Sequence, residues 1–494
     1  MIDDRSIWHH LAFQAQVRPH AQAVLGPAGA ISYRTLVNDV AALATDLLGR
    51  GFDPTRLVGL HLGFSYLHLL AMLALERLNV PSTSLGAADL STAPDVPAAY
   101  GLQAMISAAP APAAAPCPWI TLADPHRPAL GAPDPARLAA IRRSADDVVR
   151  VAWSSGTTGG MKGGMATRAV LDQRLAARRW LHGLSPRTRY FTGMPFSQTF
   201  GYTTPLAVLS AGGLVILPGP AGDFVAFANA LGVTLTGATP EMLRTLLGND
   251  ARPTRRLETI ESFEVLGSHL PGPLAEMLGA VSPNFTLGYG TTETDRIATG
   301  AAALAIIDPA AVGTVVPWVE VEIVDAADRA LPAGREGMVR VRSPQTITGY
   351  WRDETATRRN FRDGWFYPGD LGALDADQRL RITGRVADVI VRDGAMLSPM
   401  PLENEIRAIA GVRDVAVFGL AGPDAAPRVA AALVLETPGS EAAVRAAIAA
   451  RLGDRAPDAV FLIDALPRNE LGKVVRRELV DWALRHTPAG TRPS

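Results

Sequence analysis

Residues 154–160 read SSGTTGG, with no side chain larger than threonine, and Met161 and Lys162 follow. Side chains this small let several backbone N–H groups crowd toward one anion, and four hydroxyls add donors. The Lys162 ammonium closes the turn with a positive charge, so polyphosphate is the ligand that such a turn suits. It is not a Walker loop, because that pattern needs Ser or Thr directly after the lysine, and Gly163 stands there. Lysine is otherwise almost absent: of the 47 Lys+Arg residues only Lys162 and Lys473 are lysines. A compact ammonium and a planar guanidinium are not interchangeable, so these two positions point to places where the fork of an arginine does not fit. Lys473 sits directly after a glycine in PRNELGKVVRREL, outside any plain charged helix.

The chain that must position these groups has 494 residues, 48% of them hydrophobic and 19% charged. At about 150 residues per domain this is two or three domains with a sizeable core. A net charge of −1 gives no reason to expect nucleic acid or an anionic membrane as partner. The single cysteine, Cys117, excludes an internal disulfide and a cysteine-based metal site, and its Pro-flanked setting reads as loop. His9, His10, His61 and His68 stand at no metal-ligand spacing. The acidic start MIDDR does not resemble a signal peptide, and no apolar run approaches about 20 residues, so a cytoplasmic protein without a membrane span is expected.

Periodicity predicts helices at 6–18, 33–50 with Ser32 as cap, and 66–77, strands at 57–62 and 148–153, and a short hairpin over 24–32. Alternating strands and helices over 21–150 are the signature of a parallel α/β sheet. Residues 104–140, rich in Ala and Pro, read as surface connections. The arginines of a helix over 166–182 read as a solvated face. Strands near 191, 233–236, 263–266 and 284–287 each end in a small or polar loop, and ligands of open α/β sheets bind where such loops converge. From Gly313 onward short strands at 315–324, 337–342 and 380–383 suggest an antiparallel, barrel-like section. A compact α+β unit follows, with helices at 402–410 and 440–452 and strands at 415–420, 429–435 and 459–462. The tail HTPAGTRPS is expected to be disordered.

Five segments then fall in a recognisable order. SSGTTGGMKGGM resembles the phosphate loop of the adenylate-forming superfamily, which comprises acyl- and aryl-CoA synthetases, luciferases and peptide-synthetase adenylation domains. GYGTTE (288–293), FYPGDLG (366–372), GRVADVIVRDG (384–394) and LPRNELGKVVRREL (466–479) resemble that family's further motifs. The resemblance implies a large N-terminal AMP-binding domain, 1–384, of α/β parallel sheets plus a small barrel-like section. A small mobile α+β domain, 385–494, would carry the catalytic lysine. It implies an AMP-forming ligase that uses ATP and Mg²⁺. Ser154, Ser155, Gly156, Thr157, Thr158, Gly159 and Lys162 would hold the β- and γ-phosphates. Tyr289 would lie on the adenine, and Ser268 and Gly290 would also line the nucleotide site. Asp370 would take the ribose hydroxyls with help from Arg385. Thr292 would touch the α-phosphate, Glu293 would hold Mg²⁺, and Lys473 would bridge the substrate carboxylate and the α-phosphate. Taken singly, Thr292 and Glu293 are equally a helix cap, and Asp370 and Arg385 a structural ion pair.

The chain departs from the family pattern at Met161, where proline is usual, at Ala387, where Asp or Lys is usual, and at Val391, where Lys is common and Arg392 is adjacent. The last two lie in the segment that serves the second half-reaction, so CoA and the pantetheine arm of a carrier protein both remain as thiol acceptors. No aspartate in FSQTFGY (196–202) is placed to hold an α-ammonium, which argues against an amino-acid substrate. Ser197, Gln198, Thr239 and His269 are the residues expected around the acid; ordinary loop polarity explains them equally well. A degenerate member that binds nucleotide without turnover is the third reading, and Lys473 argues against it.

Overall fold

The structure, a computed structural model, describes residues 6–86, 96–112, 115, 117–122, 124, 126, 128–155, 161–219, 222–247, 255–308, 310–392, 395–421, 427–437, 439–468 and 474–486. Gly156, Thr157, Thr158, Gly159 and Lys473, and the tail 487–494, lie outside the described residues, so the roles expected of them are not placed by it.

Two sheets organise the larger part. In the first, Trp119–Thr121, Ala104–Ser107, Val58–His61, Ser82–Ser84 and Val148–Ser155 run parallel in that order, and Met161–Thr167 folds back antiparallel on the last. Ala104–Ser107 is wholly buried, which corrects the reading of 104–140 as surface connections. Four residues (AMIS) are too short for any periodicity, and the Ala/Pro-rich segments around them masked the strand. In the second sheet Gln22–Gly26, Leu214–Ile216, Arg189–Phe191, Leu235–Ala238, Ser262–Leu266 and Phe285–Thr291 are parallel neighbours. There the sheet turns antiparallel, through Asp295–Ala301, Ala311–Val315, Arg379–Arg385, Asp370–Leu374 and Gly337–Arg342. The expected antiparallel section is therefore present. Among the described residues its strands extend the parallel sheet and do not close into a barrel.

Helices Tyr66–Arg77 and Thr199–Ser210 are buried along their whole lengths. They are nearly apolar all round, as befits helices covered on every side. Side chains from both sheets and both helices join in one continuous core. Ser32 caps Tyr33–Leu48 as expected, its hydroxyl accepting from the Thr35 N–H at 3.1 Å.

Helix Arg168–Leu181 corrects a second expectation. Arg168, Arg174 and Arg178 are buried. Arg174 and Arg178 fall in the stripe 170, 171, 174, 175, 178, so helical spacing turns them inward with Val170, Leu171 and Leu175. Residue type argued for a solvated face; the partners that make burial tolerable come from remote strands.

The final segment packs Val412–Ala421, Pro427–Leu435 and Ala459–Leu462 into a three-stranded sheet. Helices Pro399–Arg407 and Glu441–Leu452 cover one face and Arg476–His486 the other, each with its own apolar cluster. It joins the larger part through strand Arg379–Arg385 and the 3₁₀ turn Val386–Asp388. The Ser398 hydroxyl donates back to the Thr383 carbonyl at 2.6 Å. No helix among the described residues is long and apolar enough to cross a membrane.

Candidate functional site

The lysine-bearing turn is built on a β-hairpin. Ser154 pairs with Lys162 and Ser155 with Met161. Gly163 does packing work: a Cβ there would lie 2.6 Å from the Trp153 ring. Trp153 is itself held by a hydrogen bond from its indole N–H to the Thr83 hydroxyl at 2.8 Å and by stacking on Tyr100. The segment after Ile347 lies along this hairpin, with the Met165 N–H donating to the Gly349 carbonyl and the Trp351 N–H to that of Gly163. Tyr350 is thereby fixed beside Lys162, whose Nζ sits 5.4 Å from the ring centroid.

Thr292 and Glu293 lie in the turn of the hairpin Phe285–Thr291/Asp295–Ala301, not at a helix start. The Thr291 hydroxyl accepts from the N–H groups of Glu293 and Thr294, each at 3.2 Å. Buried Arg174 donates to the carbonyls of Thr292, Glu293 and Gln345 at 3.0–3.1 Å. Tyr350 donates its hydroxyl to Glu293 Oε1 at 2.8 Å. Burial, then the Glu293 carboxylate, pushes the Tyr350 phenol far above its usual range, so it remains a donor.

The expected nucleoside trio converges. The Tyr289 hydroxyl donates to Asp370 Oδ2, and Arg385 Nε lies 3.2 Å from Asp370 Oδ1. Asp370 and Arg385 are cross-strand partners, and Arg385 also donates to the Pro368 carbonyl at 2.7 Å. Burial and the Asp370 carboxylate hold the Tyr289 phenol well above its ordinary value.

These groups face one cleft of about 2380 Å³, lined by Lys162, Ser268, Tyr289, Gly290, Thr292, Glu293, Asp370 and Arg385. That exceeds the roughly 300–1,000 Å³ of a pocket for one small molecule, and leaves room for a nucleotide and an acid together. The loops forming it follow the carboxyl ends of Leu235–Ala238, Ser262–Leu266 and Phe285–Thr291, as the strand pattern anticipated. Of the residues expected around the acid, Gln198 and His269 line the cleft and Ser197 and Thr239 do not. Thr239 uses its hydroxyl to accept from the Met242 N–H at 3.2 Å. From the final segment, Val474, adjacent to Lys473, lines the same cleft, with Arg468 and Arg476. Arg392 turns away, donating to the Ala456 carbonyl at 3.0 Å, while Val391 stands 48% exposed, so the arginine does not take the place of a lysine at 391.

Tyr350, Arg174 and Arg178 escaped sequence reading. The signal for the arginines was their place in an apolar stripe; nothing local marks Tyr350. Among the described residues no three His, Cys, Asp or Glu side chains converge as a metal cage. One carboxylate, Glu293, linked through Tyr350 to the neighbourhood of Lys162, does suit Mg²⁺, which is commonly held by one or two carboxylates together with substrate phosphates and water.

Residues 11–351 match the family described as AMP-binding enzyme, and residues 401–473 its C-terminal domain. A 3-hydroxybenzoate–CoA/4-hydroxybenzoate–CoA ligase of Thauera aromatica is 29% identical over 359 residues, covering 70% of this chain and 68% of its own. A feruloyl-CoA synthase of Amycolatopsis sp is 27% identical, covering 94% of this chain and 96% of its own. The crystal structure of ATP-bound MatB from Rhodopseudomonas palustris superposes with a TM-score of 0.84 at 26% identity, covering 96% of this chain and 98% of that one.

Proposed function

From a chain that belongs to the AMP-binding enzyme family, an AMP-forming acid–thiol ligase akin to acyl- and aryl-CoA synthetases, we infer that it activates a small carboxylic acid with ATP and passes the acyl group to CoA. In the first step a carboxylate oxygen bonds to the α-phosphorus and the bond from that phosphorus to the bridging oxygen of pyrophosphate breaks. In the second a thiol sulfur attacks the acyl carbon and AMP leaves. The first step sets an anion against a polyanion, so neutralising and orienting charge is the main demand on the protein.

The residues suit these tasks. Lys162 and the Ser154–Gly160 turn would hold the β- and γ-phosphates, and Thr292 the α-phosphate. Tyr289 would lie against adenine, and Asp370, an ionised acceptor, would take the ribose hydroxyls with Arg385 beside it. Mg²⁺ bound with ATP would neutralise phosphate charge, and Glu293, steadied by Tyr350 and by Arg174 through its carbonyl, would hold it. Lys473 would bridge the carboxylate and the α-phosphate. Residues 385–494 would move as one part about Arg385 and bring that ammonium in. The observation that carries the reading is the convergence of Lys162, Glu293, Tyr289, Asp370 and Arg385, from separate stretches of chain, on one cleft also lined by Val474.

A carrier-protein pantetheine is the second acceptor to consider, favoured by Ala387, exposed Val391 and the outward turn of Arg392. The test is ATP–pyrophosphate exchange over a panel of carboxylic acids, followed by thioester formation with CoA and with a carrier protein. Exchange with at least one acid and thioester with CoA are expected. Exchange with none would remove the ligase reading. Thioester on the carrier alone would replace the acceptor.

A further inference from the structure

Three buried arginines pair with carboxylates: Arg168 with Glu76, Arg178 with Asp295 and Arg296 with Glu264. Arg150 differs from them. It is 2% exposed and, among the described residues, bonds to no carboxylate. Burial pushes its pKa down to about 10, so it stays charged at neutral pH. A buried charge is tolerated only where dipoles take the place of water. Nη1 of Arg150 donates to the Ser82 hydroxyl at 3.2 Å, and Nη2 donates to the Ser84 hydroxyl at 2.6 Å and to the Phe196 carbonyl at 2.7 Å. The guanidinium also lies 4.5 Å from the centre of the Tyr202 ring. His68 aims the Ser84 oxygen. Its Nδ1 donates to the Gly63 carbonyl and burial keeps the ring neutral, so Nε2 accepts from the Ser84 hydroxyl and leaves that oxygen's lone pairs to Arg150.

These contacts join the two sheets. Arg150 stands in strand Val148–Ser155, whose end pairs Ser154 with Lys162. Phe196 and Tyr202 belong to the other side, in the segment after Arg189–Phe191 and in helix Thr199–Ser210. Between them is Gln198, which lines the cleft with Met194, Thr199 and Phe200. Gln198 precedes the helix without capping it through its side chain, so that amide stays available to the cleft. The loop folds tightly on the helix start: a Cβ at Gly201 would come 2.0 Å from the Pro195 carbonyl oxygen. The two ends of the link are held unequally. The strand of Arg150 is paired on both edges, with Ser82–Ser84 and Met161–Thr167, by backbone bonds that need no guanidinium. The Phe196 carbonyl is held by the guanidinium itself. Loss of the side chain therefore frees the loop and spares the strand.

We propose that Arg150 is a positioning residue that fixes the loop Met194–Gln198, and with it the wall of the cleft bearing Gln198, against the strand that carries the phosphate turn. The proposal rests on the ligase reading above, in which acid and triphosphate must be held in register. It is tested by ATP–pyrophosphate exchange with the best acid of the panel, benzoate, malonate and octanoate included, and by hydrogen exchange of the backbone amides. In Arg150→Met the KM for the acid is expected to rise about tenfold with the KM for ATP within about twofold of the parent. Amides of 194–203 should exchange about tenfold faster, and those of 161–167 at the parent rate. Arg150→Lys, which restores the charge without the fork, should recover part of both effects. A purely structural role predicts a lower urea midpoint with the ratio of the two KM values unchanged. An unchanged KM for the acid in folded Arg150→Met, an equal rise in both KM values, or equally faster exchange in both segments overturns the proposal. Should Arg150→Met not fold, Ser84→Ala, which withdraws one acceptor and keeps the charge, decides by the same two ratios: a rise confined to the acid and to 194–203 supports the proposal, and its absence overturns it. Each overturning result in a parent that adenylates an acid spares the ligase reading, whereas adenylation of no acid by the parent sinks both.

Discussion

Tyr350 joins two residues that the motifs single out: its ring lies against the Lys162 ammonium and its hydroxyl donates to Glu293. A hydrogen bond to a charged group contributes about 1.5–3 kcal/mol. Tyr350→Phe deletes it and keeps the ring, so the fold should persist, as read by circular dichroism. Adenylate formation should fall about tenfold, since roughly 1.4 kcal/mol corresponds to a factor of ten, with a higher Mg²⁺ requirement. An unchanged rate across a Mg²⁺ titration would mean that Glu293 is held by other contacts. Arg174 works the same turn from behind, one guanidinium serving three buried carbonyls. Burial lowers its pKa below the usual arginine value, and the Asp295 carboxylate opposes that shift.

At the scale of elements, the hairpin carrying Tyr289 on one strand and Thr292 and Glu293 in its turn admits no side chain at Gly290, where a Cβ would come 1.9 Å from the Asp295 carbonyl oxygen. Gly290→Ala must displace the hairpin, so both ATP binding and adenylate formation should fall together; loss of rate at unchanged ATP affinity would contradict this. The buried helix Tyr66–Arg77 predicts acid sensitivity. His68 on it is enclosed, with Nε2 2.7 Å from the Ser84 hydroxyl and Nδ1 2.8 Å from the Gly63 carbonyl. Burial, reinforced by nearby Arg150, pushes its pKa down to about 3 from 6.5. The folded value is the lower one, so between those limits the unfolded chain binds the extra proton. Stability is then complete above pH 6.5 and falls as pH drops, by about 1.4 kcal/mol per unit for this one group. His182, lowered in the same direction, adds to the slope. Urea midpoints measured from pH 7 to pH 4.5 should decline less steeply in His68→Gln than in the parent.

At the scale of the whole molecule, the cleft has one wall on the two-sheet part and one on the final segment. Arg476 ties the second wall together, donating to the Val417 carbonyl at 2.9 Å and pairing with Asp388 and Glu403 at 3.0 and 2.5 Å. Asp388 belongs to the connecting turn, so that end of the turn is fastened to the final segment, while the Val386 N–H at its other end donates to the Gly369 carbonyl of the larger part at 2.9 Å. Lys473→Ala should lower adenylate formation by orders of magnitude while ATP binding, measured by calorimetry, changes little, because an ammonium bridging both reactants acts on charge that builds as they react. Equal loss of both would place Lys473 in ground-state binding.

Lys162 was legible from its own surroundings, an ammonium after a run of Ser, Gly and Thr, whereas Tyr289 to Glu293, Asp370 and Arg385 stood out only because their segments resemble motifs of the adenylate-forming superfamily; taken singly, each has an ordinary structural reading. Strand and helix periodicity also placed the elements whose carboxyl ends make the cleft. Short or shielded elements stayed hidden: Ala104–Ser107 has too few residues to show a period. Arg174, Arg178, Arg296 and Tyr350 act through partners more than 50 residues away in most cases, such as Glu293 for Tyr350 at a separation of 57. Local sequence determined which groups are available for nucleotide chemistry and which segments fold around them. Only the tertiary structure decided which charges are buried against each other, because a buried ion pair is set by the juxtaposition of remote strands and helices, and no single stretch of chain encodes that.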